Sequence, residues 1–359
     1  MLSARSWNNG NLELSPKMKR ICVTHRHVVD EEPTRIFVRA CPAVVRGNGG
    51  LGLVEAPGVL DGSALPELLQ RPELEALAYV TLRDVRRRRL HVFLAAGELV
   101  AGKLEIEARD REGGGAAVQT SLTLTALSEP GNALFDDQLG ARMGSALQQV
   151  VETLCGGDNG ETPPRPASVT RSVRVSHEIA VEGDADACFA LACPVAELRW
   201  LDGWSFDLLY SESGRNEDGC IFREPLSGLG VLRSPGADTI WYTTLHDEAA
   251  RRFHAVLLTP DLMIARFSCE VDDLGDGRAL MRWELTHSGL NDQGNAIVAE
   301  VGFWERPLGM LQLLARSAKH YLETGEMYRM PAALRARLAL SVISATVGRH
   351  VRRTWRRVH

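Results

Sequence analysis

Residues 22–42, CVTHRHVVDEEPTRIFVRACP, align without a gap on residues 174–194, RVSHEIAVEGDADACFALACP, at a constant offset of 152. Val23/Val175, His25/His177, Val29/Val181, Phe37/Phe189, Ala40/Ala192, Cys41/Cys193 and Pro42/Pro194 are identical. A second pair runs from RRLHVFLAAGELV (88–100) through LTLTALSEPGNA (122–133) in one copy. In the other it runs from RRFHAVLLTPDLM (251–263) through LTHSGLNDQGNA (285–296). Its offset is 163 against 152, so the second copy holds 11 more residues between the blocks. Two ungapped blocks in the same order read as two copies of one domain.

Both copies give one order of elements. Val173, Val175, His177, Ile179 and Val181 alternate with Arg174, Ser176, Glu178 and Ala180, the period of a half-buried strand. Residues 185–194 read as a short helix stopped by Pro194. Strand-like runs follow at 240–245, 252–258, 263–271 and 279–287, separated by turn signals. A long helical stretch, 295–323, kinked at Pro307, closes the copy, and 131–154 is its counterpart. The class is α+β, an antiparallel sheet with one long helix laid across it. The expected boundaries are a disordered leader (1–17, with Met18 as an alternative start) and domains 18–155 and 171–328. A Gly/Pro-rich linker (156–170) joins them, and a basic helical tail (329–359) follows.

This order, together with CPVAELRWLDGW (193–204), resembles the helix-grip superfamily of START, polyketide-cyclase and Bet v 1-like proteins (SRPBCC). Bacterial members read P-V-G-E-R-x-W-x-x-G-W after the first strand. Pro194, Val195, Glu197, Trp200, Gly203 and Trp204 fill that pattern, whereas Ala196 and Leu198 depart from it. The corresponding stretch of the first copy, 41–59, has lost the motif, so that half is recognised through the repeat alone. The resemblance implies two tandem helix-grip domains, with an apolar cavity between sheet and helix.

Six of the seven tryptophans follow position 199, and Trp200, Trp204, Trp241, Trp283 and Trp304 lie in the second copy, which has no tryptophan-bearing counterpart in the first. Trp200 and Trp204 stand four apart, which on a helix places them on one face. Two readings stay open for these rings, core filling and the wall of a ligand pocket. Strand parity turns Met281, Trp283, Leu285 and His287 to one face, and His177 joins Val175 and Ile179 on the inner face of the first strand. If first and last strands are antiparallel neighbours, as in the family, His177 comes beside Trp283. His287, replaced by Leu124 in the first copy, is the better functional candidate of the two histidines; a satisfied core histidine is the alternative for both. Glu197 and Arg199 form either the polar end of a site or a surface ion pair. The candidate ligand set is Glu197, Arg199, Trp200, Trp204, Trp241, Phe267, Met281, Trp283 and His287. His91 and His254 match across copies on strands of mixed parity, so no direction follows for them.

Composition narrows the classes. In 359 residues, 45% hydrophobic and 24% charged, no apolar run reaches the length of a membrane span. Seven cysteines without a CxxC pair read as reduced thiols in the cytosol, and Cys188 and Cys269 as small core residues. Neither GxGxxG with a following acid nor GxxxxGK[ST] occurs, nor HExxH, nor GxSxG, so no cofactor and no metal are expected. The net charge of −5 is uneven: no Asp or Glu follows Glu326, while eight arginines do. On a helix, Leu340, Ile343, Val347, Val351, Trp355 and Val358 form one stripe, with Arg349, Arg352, Arg353, Arg356 and Arg357 opposite or beside it. Such a helix fits peripheral contact with an anionic membrane, or packing on protein; nucleic acid ranks last beside an acidic body. The leading functional expectation is binding of a small hydrophobic ligand by the second copy. The alternatives are a cyclase or aromatase using His287 or His177 as acid or base, and a co-chaperone-like scaffold.

Overall fold

The computed structural model describes residues 2–3, 18–40, 67–71, 74, 76–156, 171–225, 238–260 and 262–331. The chain divides into two compact units, Pro16–Thr170, and Arg171–His359 together with Met1–Ser15. The chain begins with β1 (Leu2–Ser3), whose pairing belongs to the second unit. The first unit runs β2 (Arg20–Val29), α1 (Pro33–Ala40), β3 (Ala76–Asp84), β4 (Arg89–Ala96), β5 (Val100–Asp110), β6 (Ala116–Ala126), α2 (Glu129–Asn132) and α3 (Leu139–Gly156). Its sheet is antiparallel in the order β2-β6-β5-β4-β3, with α3 packed on β2 and β6.

The second unit repeats the plan with β7 (Ser172–Glu182), α4 (Ala185–Leu191), α5 (Pro194–Glu197), β8 (Asp207–Tyr210), β9 (Ile221–Glu224), β10 (Thr239–Asp247), β11 (Arg252–Thr259), β12 (Met263–Gly275), β13 (Arg278–Gly289), α6 (Asp292–Val298) and α7 (Glu305–Thr324). The order is β1-β8-β9-β10-β11-β12-β13-β7, again antiparallel, and α7 packs on β7 and β13. These are two tandem helix-grip domains of α+β class. β8 and β9 occupy the stretch in which the second copy is longer; the corresponding 41–66 lies outside the described residues.

Several residues within the repeat blocks have local structural roles. Asp184 caps α4 by accepting from the backbone N–H groups of Asp186 (2.9 Å) and Ala187 (3.0 Å). Gly131 and Gly294, both from the shared GNA triplet, let the chain pass so close that a Cβ would meet Leu99 O at 2.0 Å and Leu262 O at 1.9 Å. The asparagines beside them tie each sheet's first strand: Asn132 Oδ1 accepts from Lys19 N (2.8 Å) and Asn295 Oδ1 from Arg171 N (3.1 Å). Trp283 stands opposite His177 across the β13–β7 pair, as parity together with the family's strand order implies, and Thr120 stands opposite His25 in the first unit.

Two expectations are corrected. The stretch 295–323 is two helices, not one kinked at Pro307: residues 299–304 form a turn with Gly302 at φ 78°, and Pro307 falls in the first turn of α7, where its missing N–H costs nothing. The leader is not wholly without order, since Leu2 and Ser3 pair with Leu208 and Asp207 at the sheet edge. Residues 4–17 and the stretch from 332 onward, on which the arginine-rich helical tail is expected, lie outside the described residues. Among the described residues no helix is long and apolar enough to cross a membrane.

The two cores differ in where their bulk sits. In α3 the buried face carries Met143, Leu147, Val150 and Leu154. Aligning Met143 with Leu311 of α7 puts Ala315 and Ala318, both buried, in place of Leu147 and Val150. In the same cores, Thr120 and Leu104 of the first sheet correspond to Trp283 and Phe267 of the second. Bulk has moved from helix to sheet, as close packing at fixed spacing requires. The tryptophan asymmetry thus has a packing component.

Candidate functional site

The inner face of the second sheet is an aromatic wall. Phe222 of β9 lies opposite Trp241 of β10 with rings stacked at 5.1 Å, and Trp241 meets Phe267 of β12 edge-on at 5.7 Å. Trp204 closes the near end against Phe206, Phe222 and Trp241, at 6.0, 6.3 and 6.0 Å. Its indole N–H donates to Pro194 O (2.9 Å), fixing the ring from the α5 side. Met281, Trp283 and Cys269 continue the wall toward β7, with Cys269 paired to Trp283 in register.

Trp200 and Trp204 do not share a helix face. α5 ends at Glu197, and the chain then turns through Leu201, which bridges to Tyr328; both rings are nevertheless buried in the same core. Pro194 starts the short helix, and Gly203, at φ 80°, turns the chain six residues beyond its end.

Glu197 is the polar group that this turn delivers to the interior. Its carboxyl is close enough to Glu224 and Cys269 for their electrostatics to couple. Burial pushes Glu197 up from 4.5 to about 8, with the nearby Glu224 acting the same way. No described residue donates a hydrogen bond to it, although the residue keeps part of its surface uncovered. The pairing with Arg199 does not form: Arg199 is exposed, and no ion pair joins it to Glu197. Glu224, buried on β9, accepts from Trp241 Nε1 at 3.2 Å. Sequence reading missed Glu224 because the four-residue β9 is too short for its alternation to be recognised; its only signal is that Phe222 and Glu224 share parity.

The histidines go elsewhere. His287 is buried at the far end of β13, edge-on to Phe303 at 5.5 Å. It lies four residues from Trp283 along the strand, roughly 13 Å. His177 lines a half-open cleft of about 410 Å³ with Ile179, Gln312, Arg316 and Lys319. His91, buried on β4, lies 3.2 Å from Glu105, which also takes Lys103 at 3.1 Å. Its counterpart His254 faces Ser268 instead of an acid, and burial, aided by Arg266 and Arg252, holds it down to about 4. Burial raises the thiols of Cys188, to about 11, and of Cys269, which makes both poor nucleophiles. No cluster of metal-ligating side chains occurs among the described residues.

No protein-family model matches the chain, and no curated protein matches its sequence. Solved structures do. The di-domain ARO/CYC StfQ of the steffimycin biosynthetic pathway matches at 12% identity and a TM-score of 0.34, over 84% of this chain and 98% of its own. The di-domain ARO/CYC BexL of the BE-7585A pathway matches at 12% identity and 0.32, over 86% and 100%. A START superfamily protein from Mycobacterium smegmatis matches at 13% identity and 0.31, over 42% and 97%. At these scores, the fold assignment rests on the strand order, registers and helix placement of the chain itself.

Proposed function

We propose that the second unit binds a small, mostly apolar molecule between its sheet and α7, with protonated Glu197 as the polar anchor. The observation that carries this reading is Glu197 itself. Its carboxyl is desolvated beside an aromatic wall, accepts no hydrogen bond from a described residue, and is pushed up to about 8 by burial. At neutral pH it is a neutral acid, able both to donate and to accept. A ligand carbonyl or hydroxyl would pair with this carboxyl, while Trp204, Trp241, Phe267, Met281 and Trp283 supply apolar contact. Trp200 supports this wall, and Arg199 has no part in it.

A second reading, turnover of the cyclase type, is favoured by one observation: Glu197 has a second carboxyl, Glu224, close by and differently partnered. Two carboxyls held in different environments are a recurrent acid–base arrangement. In this reading the proton-transfer role falls to Glu197 rather than to His287 or His177. For the tail, we retain contact with an anionic membrane surface as the proposal.

The test is a titration of the full chain with the uncharged dye Nile red. Saturable binding, weakened about tenfold by Glu197→Leu or Trp283→Phe and unchanged by Leu124→Ala in the first unit, supports the reading. Equal effects of all three substitutions, or no saturable binding, overturns it.

A further inference from the structure

The cleft along the seam between β7 and α7 is a place where the two units diverge. Among the described residues β7 is an edge strand, with no neighbouring strand on its outer side. Gln312, Arg316 and Lys319 recur at helical spacing on the side of α7 that faces it, and His177 and Ile179 come up from the sheet. In the first unit the same seam is filled. His25 packs on the helix at Gly144, where an added Cβ would lie 3.5 Å from its Nε2, and His27 bonds Gln148 at 3.1 Å. With Met143 aligned on Leu311, Gln312 stands in place of Gly144 and Arg316 in place of Gln148. Ile179 replaces His27, so the histidine–glutamine bond that closes the first seam has no equivalent here. The space left is about 410 Å³, enough for a small molecule or the head of a larger one.

The charged groups that line this space are both cationic, Arg316 and Lys319. Lys319 is held in place by donating to Ala180 O (3.3 Å) and by Glu323 (3.1 Å). Arg316 is exposed and has no acidic partner among the described residues. Glu178 and Glu182 alternate onto the opposite face of β7, away from the cleft. Arginine's planar fork is suited to carboxylate, sulfonate or phosphate, and the amide of Gln312 and ring of His177 add further polar atoms.

We propose that this cleft is a second binding site, for the oxyanion group of a small amphipathic molecule, with Arg316 as its principal ligand and Lys319, Gln312 and His177 around it. The site is independent of Glu197 and its aromatic wall. The test compares two dyes on the full chain at low salt: anilinonaphthalene sulfonate, which carries an oxyanion, and uncharged Nile red. In the double variant Arg316→Gln/Lys319→Gln, the sulfonate dye should bind about tenfold more weakly. Nile red should be unaffected, and Arg316→Lys should recover part of the loss. Failure of the sulfonate dye to bind the unaltered protein, unchanged binding by the double variant, or an equal loss of both dyes overturns the proposal. Where the sulfonate dye fails to bind, or the double variant leaves its binding unchanged, retained Nile red binding leaves the Glu197 site standing, so the two proposals fail separately.

Discussion

Replacing Glu197 with Gln removes a carboxyl whose ionisation burial opposes, and this changes how stability depends on pH. The folded chain holds its proton up to about 8, against 4.5 for an unburied glutamate. Between those values the folded state binds more protons than the unfolded state. The free energy of unfolding therefore falls as pH rises through that window and levels off above it. His254 acts with the opposite sign: its folded value of about 4 lies below 6.5, so its contribution rises with pH between 4 and 6.5 and is complete above that. His246, lowered mainly by burial, works in the same sense as His254. The window from pH 6.5 to 8 isolates Glu197 among these three. At about 1.4 kcal/mol per pH unit, the unaltered protein loses about 2 kcal/mol across it, and Glu197→Gln loses almost none. Urea unfolding followed by tryptophan emission at constant ionic strength measures this, because Trp200, Trp204, Trp241 and Trp283 are all buried in the second unit. A variant with the slope of the parent protein between pH 6.5 and 8, or one less stable than the parent at pH 8.5, refutes the assignment.

Gly294→Ala should destabilise the second unit by more than about 2 kcal/mol in urea unfolding, since its Cβ would lie 1.9 Å from Leu262 O, and Gly131→Ala should do the same in the first. His287→Leu should leave the Nile red dissociation constant within about twofold, because His287 packs on Phe303 rather than on the aromatic wall; a tenfold loss would return it to the site. Truncation after Met330 should abolish sedimentation with anionic vesicles, at about 1 kcal/mol for each lost arginine near the surface, and leave both unfolding transitions intact. If the full chain ignores such vesicles, the membrane proposal fails.

Much of the fold was legible because the repeat and the strand period are long-range signals carried by many residues. His177 beside Trp283 follows from strand parity once the family's antiparallel neighbours are taken over, and the register places the two opposite each other. The break between α6 and α7 was not legible, since residues 299–304 keep an amphipathic composition and only Gly302, at positive φ, marks the turn. The site was half legible. The family pattern pointed to Glu197 and Trp204, but the period of this stretch marks no helix end at Glu197, so the direction of Arg199 and the separation of Glu197 from it could not be read. Glu224 and the exchange of Leu147 for Ala315 depend on which elements face each other, and no local pattern encodes that.

Native mass spectrometry of the full chain purified from its own host decides whether the second unit holds a ligand at Glu197. The expected result is a one-to-one adduct of a small molecule that is lost on unfolding and absent from Glu197→Leu purified in the same way. The bare mass of the chain in the unaltered protein, or an adduct retained equally by Glu197→Leu, would contradict it.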